Sequence, residues 1–303
     1  MTIRITFWSS KITMDKLQFA KNLYLCAMLA KRYHIPLLIL SVGFIAFSCS
    51  QYEKVIKSED VNFKFAKTFE YYNKGDYVKA GTLFEQLAPL TRGTRKADSV
   101  YFFQAMTQYK LNDYIIAGHY FNQFTQYYEN SHFIQEAAYM VAYCYYMQSP
   151  RPELDQTSTY QALDAFRLYM IRYPASPRVT DCQRIIKELN EKLMEKSFLS
   201  AKLYYNIDDY KAAIVALNIC LVDFPETKYR EEIMFMLLKS KYLLAEKSIQ
   251  AKQTERYQDA VDEYFAFITE FPESKNKKEA EDMYQIASQY IKDKETDKEL
   301  TDN

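Results

Sequence analysis

Few side chains in this 303-residue chain have the partners that covalent chemistry needs. His119 and His132 stand apart, with no cysteine or carboxylate at ligand spacing, and read as surface or hydrogen-bonded core histidines. The paired carboxylates Asp208 with Asp209 and Glu231 with Glu232 fall at a turn or a helix start, where negative charge caps free N–H groups and meets the positive end of the helix dipole. Cys144, Cys182 and Cys220 are odd in number and lack metal-ligand spacing; Cys144 and Cys220 occupy positions that suit small core residues, so they are expected as buried thiols. With no glycine-rich phosphate loop and no nucleophile–base pair, the pattern predicts a protein that is not an enzyme and carries no metal or cofactor. Of the two other cysteines, Cys26 lies in the leader and Cys49 follows Ser48 at the end of an apolar run.

That run, Ile35 to Phe47, is preceded by Lys31, Arg32 and His34, and its length of roughly a dozen residues fits a secretory signal better than a membrane-spanning helix. Cys49 resembles the lipid-accepting cysteine of bacterial lipoproteins, with Ala46, Phe47 and Ser48 as the preceding box, although Ala46 stands where leucine is usual. Several acyl chains on Cys49 would hold the protein on a membrane without a span, since one chain binds only marginally. Trp8, Asp15 and Lys21 add no useful apolar core, and Met28 would open a compact leader; the start is Met28 or, with a long basic leader, Met1. Residues 1–48 are thus leader and signal peptide, and residues 49–60 a lipidated linker. Ser50, Gln51 and Tyr52 carry no acidic cluster, which by similarity to lipoprotein sorting implies the periplasmic face of the cell outer membrane.

The elements behind these residues repeat. Ala162, Phe166, Tyr169 and Pro174 recur as Ala213, Leu217, Cys220 and Pro225, and again as Ala260, Tyr264, Phe267 and Pro272, the second-helix spacing of a tetratricopeptide repeat. The small residue admits a neighbouring helix, the next two marks share its face, and the proline disfavours helix just before it. Ser176, Thr227 and Ser274 follow the prolines by two residues, placed to cap the next helix, with Pro177 expected in its first turn. Earlier copies run through Tyr72, Gly75, Asp76, Tyr77, Ala80 and Phe84, and through Tyr109, Asn112, Asp113, Tyr114, Ala117 and Phe121. Gly75 and Asn112 suit the positive φ that ends a first helix.

The sequence therefore predicts an all-α protein, an α-solenoid of about five tetratricopeptide repeats over residues 61–292 with a closing helix from about Ser274 to Lys292 and a charged flexible tail over residues 293–303. Its 5 Gly, 28 Tyr and 20 Phe suit long helices packed through aromatic rings. A net charge of zero, without a basic stripe, argues against nucleic acid as a partner.

A lipoprotein leader followed by such repeats resembles the BamD family of outer-membrane β-barrel assembly lipoproteins. The most specific stretch is the insertion Leu154-Asp155-Gln156-Thr157, followed by Ala162, Phe166, the Tyr173-Pro174-Ala175-Ser176 run, Asp181, Arg184 and the Ala201, Tyr204, Tyr205 face of a long fourth-repeat helix. The resemblance implies a periplasmic scaffold that docks on the periplasmic domains of BamA through repeats four and five, and receives C-terminal peptides of unfolded outer-membrane proteins through repeats one to three. The alternative, sharing fold and anchor, is a periplasmic tetratricopeptide lipoprotein that coordinates cell-wall or envelope integrity.

On the first helices of repeats one to three, aromatic and methionine residues recur as Phe65, Phe69 and Tyr72; Phe102, Met106 and Tyr109; Tyr139, Tyr143 and Tyr146. First helices line the concave side of such a superhelix, so the stripe is a candidate peptide groove, with core packing as the competing assignment. Phe69, Met106 and Tyr143 share one repeat position beside the interhelical face and are the preferred groove residues.

Overall fold

The computed structural model describes residues 51–302; the leader, Met28 and Cys49 lie outside the described residues. Helix ends fall where the repeated prolines require. The helices α6 (Thr157–Arg172), α8 (Tyr210–Asp223) and α10 (Gln250–Glu270) each stop at a residue, Tyr173, Phe224 or Phe271, whose φ of −127 to −133° and ψ of 62 to 69° lie outside the helical region. Each is followed by proline, whose ring crowds the preceding residue out of helical geometry.

The three hydroxyls beyond the prolines act one step earlier than the sequence reading had them. Ser176 Oγ accepts from Arg178 N at 3.2 Å, Thr227 Oγ1 from Tyr229 N at 3.2 Å and Ser274 Oγ from Asn276 N at 3.1 Å. Each thus closes a turn ahead of α7 (Val179–Asn206), α9 (Arg230–Glu246) and α11 (Lys277–Asp302), and Pro177 sits in that turn rather than in the first turn of α7. The hydroxyl bonds an N–H two residues on, a local alternative to the helix cap.

The described chain divides into two compact units, one ending at Asn112 and one beginning at Asp113. In the first, α1 (Val61–Asn73) packs on α2 (Tyr77–Thr91) and α2 on α3 (Ala97–Lys110). Asp60 and Asp76 cap α1 and α2, accepting from Asn62 N at 2.8 Å and Lys79 N at 3.4 Å. Gly75 takes φ +80°, the left-handed conformation the turn between α1 and α2 requires. Ala80, Phe84, Leu87 and Val100 are sealed in the core. Residues 51–57 are helical, with Val55 only 3% exposed, so most of the expected linker is folded onto the unit: an apolar side chain at helical register has α1 and α2 to bury against.

In the second unit α4 (Tyr114–Tyr127) packs on α5 (Ile134–Gln148), α5 on α6, α7 on α8, and α8 to α11 each on the next, while α9 also touches α7 and α11. This neighbour-to-neighbour packing is that of stacked helix-turn-helix repeats. The small residue and the two marks after it are buried in all three copies, Ala162, Phe166, Ala213, Leu217, Cys220 and Phe267 at 0%, while the prolines stay exposed; each large buried mark contributes about 1.5–3 kcal/mol. The small-residue rule is tight at Gly118, where a Cβ would stand 3.2 Å from that of Cys144. Asn112 ends its helix at φ 62°, and Asp208 does the same at 61°, the role of Gly75 taken by aspartate. Asp209 then caps α8 through Ala212 N at 3.1 Å. The closing helix does not end at Lys292 but continues to Asp302; across the expected end, Thr296 Oγ1 donates to Lys292 O at 2.9 Å and Gln289 to Asp293 at 2.7 Å.

Among the described residues there is no strand, and no helix is long and apolar enough to cross a membrane.

Candidate functional site

The aromatic stripe of the first unit is largely a packing device. Phe69 meets Phe65 at 4.6 Å, Phe103 at 5.0 Å and Phe84 at 5.3 Å between ring centroids, and Tyr72 meets Phe103 at 5.1 Å. The Phe65 pair is tilted, and the other three are edge-on, aligning ring edges with ring faces. Phe103, which the repeat spacing did not single out, is a hub of this cluster. Phe102 is 5% exposed and is corrected from groove to core, because its ring fills the space under Phe103 at 5.4 Å. Phe65, Phe69, Tyr72, Met106 and Tyr109 are half-buried and retain an outward edge. Lys96 Nζ stands 4.7 Å over the Phe65 ring.

In the second unit, Tyr139 is likewise corrected to the core at 2% exposure. Its hydroxyl donates to Asp181 Oδ2 on α7, and Arg178 lies 4.3 Å over its ring while bonding Glu136 at 2.6 Å. Burial, then the bond to Asp181, pushes the Tyr139 phenol up; the same bond, with Arg184 behind it, holds the Asp181 carboxyl down. One helical stretch further, Tyr146 donates to Glu188 at 2.9 Å. Tyr139 and Tyr146 thus tie α5 to α7, leaving Tyr143 half-buried between their rings at 5.7 and 5.5 Å. The sequence reading sees three equivalent tyrosines; α7 separates their roles.

The insertion before α6 is organised by one buried amide. Gln156 Nε2 donates to Arg151 O at 2.9 Å and Leu154 O at 3.0 Å, while Thr159 Oγ1 donates to Gln156 Oε1 at 2.6 Å. Lys196 reaches the same loop at Leu154 O, 2.7 Å, and Lys192 reaches Ser149 Oγ at 2.8 Å. Burial draws the Lys192 amine down. The long α7 is therefore gripped from α5, from the insertion and from α8.

On another side α7 opens a cavity of about 730 Å³, walled by Met170 of α6, Ile186 and Met194 of α7, and Phe224 and Pro225 of the turn between α8 and α9, with Lys187, Glu191, Asp223 and Lys228 at polar positions. Beside it in the chain run exposed aliphatics: Leu168 and Ile171 on α6, and Val215, Ile219 and Val222 on α8, on the face opposite the buried Ala213, Leu217 and Cys220. Sequence reasoning missed this site, although a signal was present: α6 and α8 carry more apolar positions than one buried stripe needs. A mostly apolar concavity with a few charged groups fits a side chain or chain segment of another molecule.

The other candidates stay bland. Cys144, Cys182 and Cys220 are free and buried, with burial pushing the Cys144 thiol up to about 12 and that of Cys182 to about 11, far from a reactive thiolate. His119 and His132 are exposed, and no group of metal-ligating residues occurs among the described residues.

Residues 58–257 match the family model YfiO, described as an outer membrane lipoprotein. The putative outer membrane protein assembly factor BamD of Aquifex aeolicus is 28% identical over 246 residues, covering 78% of this chain and 79% of the relative. The outer membrane protein assembly factor BamD of Caulobacter vibrioides is 24% identical over 207 residues, 67% of each chain. Among solved structures, the TPR2AB domain of yeast Sti1 in its HSP90 complex superposes with a TM-score of 0.36 at 15% identity, covering 75% of this chain and 98% of that one. The P58(IPK) TPR domain gives 0.37 at 13% identity, with 80% and 68% covered.

Proposed function

The chain belongs to the YfiO family of outer membrane lipoproteins, and from that premise we propose that it is a non-catalytic scaffold of outer-membrane protein assembly, anchored through acylated Cys49 on the periplasmic face of the outer membrane. It docks on the periplasmic domains of BamA through repeats four and five and receives C-terminal peptides of unfolded outer-membrane proteins through repeats one to three. The observation that carries the reading is the family match from residue 58 to residue 257, across both units, by relatives named as assembly factors. Docking is supported by the aliphatic stripe Val215, Ile219 and Val222 of α8, which is exposed along its length and leads into the cavity rim at Asp223. Peptide reception is supported by the half-buried Phe65, Phe69, Tyr72, Met106 and Tyr109 in the first unit and Tyr143 and Tyr146 in the second, since aromatic anchors dominate such interfaces.

The test is copurification from detergent-solubilised membranes. The parent chain should bring BamA down with it, and Ile219→Glu, at a position 52% exposed, should lose BamA while keeping the parent's melting temperature. Undiminished recovery with the variant would remove α8 as the docking face. No BamA with the parent would overturn the assembly role.

A further inference from the structure

Cys49 precedes Gln51, the first described helical residue, by two positions, and the helix that follows is not free. Val55 is 3% exposed, Tyr52 stands edge-on to Tyr71 at 5.6 Å, and the Tyr52 hydroxyl donates to Lys79 O at 3.4 Å. At the other end of the helix, Lys64 Nζ, itself 6% exposed, donates to Ile56 O at 3.0 Å and to Gln86 Oε1 at 2.9 Å. The segment behind the cysteine is thus pinned at both ends to α1 and α2.

This changes the reach of the anchor. A flexible linker over residues 49–60 would span about 20 Å on average, whereas two extended residues span at most about 7 Å. The headgroup layer on each side of a bilayer is about 5–8 Å deep, so a domain tied this closely rests on it. Tyr52, three residues after Cys49, selects which corner rests there: the turn between α1 and α2, with Tyr71, Lys74, Tyr77, Val78 and Lys79. Lys79 Nζ lies 5.7 and 5.5 Å over the Tyr52 and Tyr71 rings, and Val78 is 69% exposed. Tyrosine with one wet end, lysine with an apolar stem and an exposed aliphatic are the side chains that suit a membrane–water boundary.

We infer that helix 51–57 and the turn between α1 and α2 form a membrane-contact corner that seats the first repeat on the headgroups of the lipid leaflet holding Cys49. The inference rests on the proposed acylation of Cys49, and the device is a short rigid post in place of a tether. It fixes the height of the first unit above the bilayer.

The chain's single tryptophan, Trp8, lies upstream of Cys49 and leaves with the signal peptide, so Val78→Trp gives the lipidated protein one reporter. Reconstituted into phosphatidylethanolamine–phosphatidylglycerol vesicles, this variant should lose more than half of its emission when the phospholipid carries bromine near the top of its acyl chains. A twenty-residue Gly-Ser insertion between Ser50 and Gln51 should restore the emission, as should the undocking pair Val55→Asp with Lys64→Met, both with the vesicles still bound. Equal emission in brominated and plain vesicles, or quenching that survives the insertion, overturns the membrane-contact corner. Failure of the parent to float with vesicles instead overturns the anchor at Cys49, so the two readings fail separately.

Discussion

Replacing Gln156 by alanine should loosen the insertion between the helices of the third repeat, at a cost that can be worked from its bonds. The amide is 2% exposed, gives its N–H groups to Arg151 O and Leu154 O at 2.9 and 3.0 Å, with Pro152 O more distant at 3.4 Å, and accepts from Thr159 Oγ1 at 2.6 Å. A buried group left without a partner costs about 1–3 kcal/mol, so three orphans set an upper bound near 9 kcal/mol. The bound is not reached. Arg151 and Leu154 are exposed and their carbonyls can regain water, while Thr159 keeps Ser149 Oγ at 2.7 Å. What remains is three net bonds at about 0.5–1.5 kcal/mol each, or about 1.5–4.5 kcal/mol in total. In a domain of this size that corresponds to a fall in melting temperature of roughly 3–18 °C, read by calorimetry or circular dichroism at fixed protein concentration. Gln156→Glu keeps the shape and the acceptor but loses both donors, and should destabilise at neutral pH at least as much as alanine. A glutamate variant that melts with the parent would refute the donor argument, and an alanine variant that does so would refute the whole account of the insertion.

The aromatic stripe divides by burial. Phe102→Ala should cost about 3–5 kcal/mol through the cavity it opens, whereas Met106→Ala and Tyr143→Ala should hold their helix content yet weaken binding of a C-terminal outer-membrane-protein peptide by about 1–2 kcal/mol each; melting and peptide titration on the same samples decide. The Asp181 carboxyl is held down first by the Tyr139 hydroxyl and then by Arg184, so its contribution is present above the unfolded value of about 4 and fades as pH falls through the lower folded value. Asp181→Asn should therefore lower the melting temperature at pH 7 and shrink the stability lost between pH 5 and the acid limit, and melts across that range that parallel the parent's would sink the assignment.

What the sequence determined by itself is what one helix and its turns contain. Proline after Tyr173, Phe224 and Phe271, glycine or asparagine where φ is positive, and small residues four and seven places before the next marks act within a turn or two of chain, so the repeat register, the C-terminal ends of α6, α8 and α10 and the sealed Ala, Phe, Leu and Cys positions were legible. The same local rule left Asp208 unread, because aspartate at a left-handed turn looks like a cap. Only the tertiary structure separated Tyr139 and Tyr146 from Tyr143, since their partners Asp181 and Glu188 come from α7, 42 residues later, and no periodicity within α5 encodes that neighbour. It also decided that Val55 is buried, because α1 and α2 supply the surface that residues 51–57 cannot supply for themselves. The cavity beside α7 belongs to the same class: its walls come from α6, α7 and the turn between α8 and α9, and a concavity between separate elements exists only once their packing has fixed the distance between them.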